Sequence, residues 1–148
     1  MNLNGRTERE HGRAGYAWSA SRVGGDLMGG TLYDLPSGER TFPYHHHRGI
    51  EEWLLVVAGS PTLRTPEGEQ QLREGDVVCF RQGGDGAHQV TGPGRVLIVS
   101  NLSYPSVAVY PDSDKVGTRP SADPDDPDRL NFPRRSAVDY WDGEDAGS

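Results

Sequence analysis

Four side chains in this 148-residue sequence have the types and spacing to do metal chemistry. His45 and His47 stand two residues apart, Glu52 follows five residues after His47, and His88 lies further along. On an extended strand side chains alternate faces, so His45 and His47 point the same way and His46 points opposite. Two imidazoles on one face make a natural chelate. Glu52 opens the next strand after the turn Arg48-Gly49-Ile50, and antiparallel pairing can return it beside them. Three neutral imidazoles and one carboxylate suit a single divalent transition metal ion, Mn, Fe, Ni, Cu or Zn, rather than Ca or Mg, which prefer oxygen ligands. Four protein ligands in an octahedral shell leave two positions for water or a bidentate substrate, as a reactive site requires.

Strands must hold these residues. Short apolar stretches recur between turn residues, predicting strands over 27–35, 40–47, 52–58, 62–65, 69–73, 76–80, 87–91, 95–102 and 107–110. Pro36-Ser37-Gly38, Gly59-Ser60-Pro61, Pro66-Glu67-Gly68 and Gly92-Pro93-Gly94 supply the reversals. No helical stripe competes, so the expected class is all-β, an antiparallel double sheet. Residues 53–58 and 96–99 are apolar on both faces, which predicts cover on both sides, from a second subunit (hence a homodimer) or from the N-terminal residues.

Charge is unevenly spread. Residues 112–148 hold ten acids and five bases, a net −5 out of −7 for the chain, and the body is nearly balanced. No basic footprint for nucleic acid or an anionic membrane results. No apolar run reaches the ~18 residues of a membrane span, and the polar N-terminus lacks a signal-peptide core, so a cytoplasmic protein is expected. The expected organisation is an N-terminal arm (1–20), a barrel domain (21–111) and an acidic, Pro-rich tail (112–148). The clusters 130–133 and 137–141 in that tail could dock on the barrel or stay mobile. The single Cys79, within Val77-Val78-Cys79-Phe80, reads as a buried inert thiol.

Over residues 27–110 the chain resembles the cupin superfamily. Gly38, six residues, His45-x-His47, four residues, Glu52, six residues and Gly59 follow that family's first motif with one extra residue before His45. The second motif is looser: Gly75, Arg81 where the family has proline, Gln82-Gly83, four residues instead of two, His88, and Gly92 in place of asparagine. The resemblance is strongest to small bacterial single-domain cupins of mostly unassigned reaction. It implies a double-stranded β-helix, a jelly-roll-like antiparallel barrel, with His45, His47, Glu52 and His88 as metal ligands; Glu52 is preferred to Glu51 for its distance from Gly59.

Phe42, Tyr44, Leu54, Val56, Val90 and Asn101 are candidates to line a substrate pocket, with Gln89 as a further polar contact and the run Gly83-Gly84-Asp85-Gly86 as its rim. Tyr44 is the only titratable neighbour expected beside the ligands, so no general base is evident. The expected function is a metal-dependent enzyme acting on a small oxygenated molecule, with dioxygenase-, isomerase- or lyase-like chemistry. The alternative is a non-catalytic metal- or small-ligand-binding module, and an interaction module working through the acidic tail is a third reading.

Overall fold

The computed structural model describes residues 1–144, and the last four residues of the predicted acidic tail, Asp145 among them, lie outside the described residues. Thirteen strands are present among the described residues. The first six are β1 (Arg9–His11), β2 (Trp18–Gly24), β3 (Met28–Leu35), β4 (His46–Arg48), β5 (Glu52–Gly59) and β6 (Thr62–Thr65). Then come β7 (Gly68–Gln71), β8 (Val77–Phe80), β9 (Gln89–Thr91), β10 (Gly94–Asn101), β11 (Ser106–Tyr110), β12 (Lys115–Arg119) and β13 (Asn131–Pro133). Three short 3-10 turns are the only helical elements among the described residues, so no helix is long and apolar enough to cross a membrane.

One wall is a six-stranded sheet in the order β1-β2-β3-β10-β5-β8, all antiparallel. The facing wall combines β13-β12-β11-β4 with β7-β6-β9. An isolated bridge between His45, just before β4, and His88, just before β9, joins these last two sheets, and a second, Arg40 with Thr91, adds to the edge of β9. Leu54, Val56, Leu63, Val90 and Val96, each at most 1% exposed, fill the space between the walls at one end together with Tyr33, Leu35 and Phe80. Burying a side chain of this size contributes roughly 1.5–3 kcal/mol. Gly59, which ends β5, has φ +83° and lies so close to the opposite strand that a Cβ would sit 2.8 Å from Gly94 Cα. Only glycine permits both the left-handed backbone and this approach.

Several elements differ from expectation. The predicted strand over 40–47 is broken: Arg40 and His45 form single bridges, and ladder pairing begins only at β4. Pro43, which has no N–H to give a ladder, sits in the gap. The N-terminal arm supplies β1 and β2, and its first residues cross the outside of the large sheet. Arg95 grips Asp34 through two bonds of 2.6 and 2.7 Å and donates to the Leu3 carbonyl, and Thr7 also donates to Asp34. The tail divides. Residues 115–119 and 131–133 pair as β12 and β13, whereas Val138, Tyr140 and Trp141 stay 70–83% exposed.

The outer face of β5 and β8 keeps an apolar row. Trp53 pairs with Cys79 and Leu55 with Val77; Trp53 is 47% and Val77 59% exposed. Cys79 is therefore half-buried and outward-facing rather than a core thiol, because strand alternation sends Val78 and Phe80 inward. Burial, with Glu51 nearby, pushes its thiol above the ordinary value, consistent with an inert group.

Candidate metal centre

The two walls meet at the predicted quartet. Glu52 projects from the first residue of β5, and His45, His47 and His88 project from the facing wall. His45 and His88 are partners in the bridge that joins the two smaller sheets, which sets their imidazoles side by side. Ligating atoms of His45, Glu52 and His88 all lie within 4.8 Å of one another. His47 Nε2 completes the group, 3.0 Å from His45 Nε2 and 3.3 Å from Glu52 Oε2. His88 Nε2 stands 3.3 Å and His45 Nε2 4.0 Å from the same oxygen.

The main chain decides what these rings present. His45 Nδ1 donates to the Pro43 carbonyl and His88 Nδ1 to the Gly86 carbonyl, both at 2.9 Å. Each ring therefore offers Nε2 to the cluster, bare when neutral. Burial, with His88 and His47 nearby, pushes His45 down to about 3, so it is neutral near pH 7. Burial alone would raise the Glu52 carboxyl, but contact with His47 and His88 outweighs it and holds the group below the usual carboxylate range. Three imidazole nitrogens converging on one carboxylate oxygen form a donor set that fits a first-row divalent metal. Carbonyls on Nδ1 are the outer-shell support that such ligands ordinarily have.

Neighbours fix the ring planes. Phe80 stacks on His88 at 3.7 Å between ring centres and 7° between planes, and Tyr110 stacks on His45 at 5.9 Å. The Gly86 carbonyl is delivered by the 3-10 turn Gly84–Gly86, and a Cβ at position 86 would run into the backbone of Arg81. The glycine-rich run thus positions a ligand instead of forming a free rim.

Above the quartet opens a cavity of about 440 Å³, lined by His45, His47 and Glu52 together with residues from both walls. Phe42 lines it as expected. The other pocket candidates lie elsewhere. Tyr44 faces opposite to His45 and His47 by alternation, under the Arg64 guanidinium at 4.0 Å. Leu54, Val56 and Val90 are sealed in the core. Asn101 faces outward and clamps the β4–β5 turn, its Oδ1 accepting from Glu51 N and its Nδ2 donating to Gly49 O. Gln89 donates to the Phe42 carbonyl and so positions that loop. His46 points away from the quartet but is buried, 8% exposed, and not solvated. Glu51 also faces out, accepting from the Trp53 indole.

The sequence reading missed the cavity's flanking residues: Tyr33 and Ser100 from the large sheet, Tyr110 and Arg119 from β11 and β12, Arg22 from β2, and Arg129 from the tail. Burial raises the Tyr33 hydroxyl to about 12, so it holds its proton. A wider depression of about 650 Å³ on the outside of the sheet, between His11 and Arg95, contains none of the quartet.

Residues 31–100 match the family model for the cupin domain. No curated protein matches the chain. Among solved structures, a proposed sugar phosphate isomerase from Acidithiobacillus ferrooxidans aligns with a TM-score of 0.73 at 22% identity, over 84% of this chain and 81% of that one. A sugar phosphate isomerase from a cupin superfamily, from Silicibacter pomeroyi, aligns with a TM-score of 0.72 at 21% identity, over 81% and 78%. Likenesses at these identities establish the fold.

Proposed function

We propose that this chain, whose residues 31–100 match the cupin domain, is a metal-dependent cupin in which His45, His47, Glu52 and His88 hold one divalent transition metal and act on a small oxygenated molecule. The observation that carries this reading is the pair of imidazoles whose Nδ1 atoms are tied to main-chain carbonyls, leaving Nε2 aimed at Glu52 on the floor of an open cavity. When bound, the metal would supply Lewis acidity, polarising a carbonyl or enolate or activating dioxygen or water.

The chain's own groups do the remainder. Glu52 contributes the negative charge that offsets the cation, and Phe80 keeps the His88 ring in plane. Tyr33 retains its proton and offers the cavity a hydrogen-bond donor, not a base. Among the described residues lining the cavity, the only carboxylates are Glu52 and Glu10. That scarcity supports chemistry centred on the metal over an elaborate acid/base relay. A cavity of about 440 Å³ suits a small molecule. The exposed row around Trp53 and Val77 supports a homodimer, which sedimentation of the full chain tests.

Metal analysis of protein purified without added metal, combined with oxygen-uptake and turnover assays over small hydroxy and oxo compounds, tests the reading. One metal per chain with exchangeable water is expected. A closed tetrahedral site without labile water would instead support a non-catalytic metal-binding module.

A further inference from the structure

The quartet accounts for the floor of the cavity but not for the charge around its mouth. Arg22, Arg119 and Arg129 line the same cavity as His45, His47 and Glu52, and Arg9 joins them from β1. They arrive from opposite sides. On the large sheet, Arg22 pairs with Thr31, which pairs with Ile98, and the next inward row runs Gly29, Ser100, Glu52. Arg22 therefore belongs to the row adjacent to Glu52 on the inner face. On the facing wall, His47, Ala108 and Gly117 form one row across β4, β11 and β12, and Arg119 follows two residues after Gly117 on the same side of its strand. Asn131 and Tyr110 pack over Gly117 in that row, so Arg119 enters the cavity beside them. Arg129 comes from the segment after β12.

None of these four arginines has a carboxylate within 4.0 Å among the described residues. Elsewhere Arg64, Arg95 and Arg134 are each paired with an aspartate. The contrast is notable in a chain of net charge −7. Asp126, three residues before Arg129, is engaged in its own turn, accepting from Ser121 at 2.6 Å and from the Asp128 amide at 3.0 Å, and it feels the Arg129 charge without an ion pair within 4.0 Å. Arg22, Arg119 and Glu52 all act on the Tyr33 hydroxyl, the arginines lowering and the glutamate raising its pKa, which places all three charges around one cavity residue.

We infer that the arginine rim formed by Arg22, Arg119 and Arg129 binds a phosphate monoester carried by the small molecule whose oxygen functions reach the quartet, an inference that rests on the proposed metal-dependent function. One guanidinium fork satisfies the two oxygens and single charge of a carboxylate. Three unpaired forks drawn from three separate segments match the three terminal oxygens and near-double charge of a phosphate monoester. The cavity's volume of about 440 Å³ is in the range of small-molecule sites, room for such a group together with a short oxygenated carbon chain.

The test is calorimetric titration of the full chain with inorganic phosphate and, separately, with acetate. It is done at one ionic strength because exposed charges are screened by salt. Wild type, R22Q, R119Q, H47A and R134Q are compared, and metal content is measured for each. Phosphate is expected to bind, with affinity falling about 10-fold in R22Q and in R119Q, as the loss of a charge-assisted contact implies. R134Q, altered outside the cavity lining, is expected to match wild type, and acetate to bind at least about 10-fold more weakly than phosphate. If H47A loses metal yet binds phosphate like wild type, the rim is independent of the floor and the inference stands. Should the arginine variants keep metal and bind phosphate as wild type does, the inference fails while the metal reading survives. Phosphate binding that vanishes in H47A but not in R22Q or R119Q would place the anion on the metal and overturn it. Acetate binding as tight as phosphate would overturn the phosphate assignment. A wild type that holds no metal but shows arginine-dependent phosphate binding would instead remove the proposed function and leave the rim.

Discussion

The cavity's floor and its mouth are built by different parts of the chain under different rules. Residues 31–100 carry the floor: Glu52, His45, His47 and His88 sit where paired strands, a glycine-rich turn and two main-chain carbonyls leave each ring little freedom. The mouth comes mainly from β2, β12 and the segment after it, whose arginines are held by backbone pairing and by no ion pair within 4.0 Å among the described residues. A rigid floor favours fixed metal geometry. A mouth of solvated, long side chains can change its ligand preference without disturbing that geometry.

Breaking the floor should have the largest effect. His47→Ala removes one of the four proposed ligands and should lower metal affinity by more than the ~10–100-fold typical of losing an outer-shell partner, read as metal per chain after dialysis. Gly86→Ala keeps all four ligands but drives a Cβ into the Arg81 backbone. The carbonyl that orients His88 must then move, and a loss within that ~10–100-fold range is expected, with far-ultraviolet circular dichroism unchanged.

Acid should act on the floor next. His45 falls from 6.5 to about 3 on folding, so between those values the unfolded chain binds a proton that the folded chain does not. Stability of metal-free protein should therefore decline as pH drops from about 6.5 toward 3, with no contribution from this group above 6.5. Glu52, also held low, adds a second loss below its ordinary 4.5. Thermal melts across pH check both, and a flat profile between pH 6.5 and 4.5 would contradict the burial of a neutral His45. The smallest effect belongs to the flank. Arg95→Ala frees Asp34 and the Leu3 carbonyl on a partly exposed surface and should cost about 1 kcal/mol, with faster hydrogen exchange in β2 and unchanged metal content.

The same division explains what could be read in advance. Short apolar stretches between turn residues marked β3, β5 and β10, and the HxH spacing with Glu52 marked the ligands because it expresses the strand's period of two. β2 escaped: its inward residues Trp18, Ala20 and Arg22 share no polarity, since one faces the core and another the cavity. β12 escaped because Lys115, Gly117 and Arg119 read as a polar loop, and only pairing to β11 makes them a wall. Leu54, Val56 and Val90 share the inward face with Glu52 and His88, but alternation gives the face and not the depth. Depth follows from which strands oppose each other, which no local pattern contains.

The two main-chain carbonyls that hold His45 and His88 also fix a proton inventory. With His45 neutral near pH 7, its ring proton on Nδ1, and Glu52 already ionised, these two groups have no proton to surrender when a cation arrives near neutral pH. These two ligands should then add nothing to the acid released on loading. In that respect the site behaves as a receptacle prepared at folding, and the cost of readying its ligands falls on the stability of the empty protein.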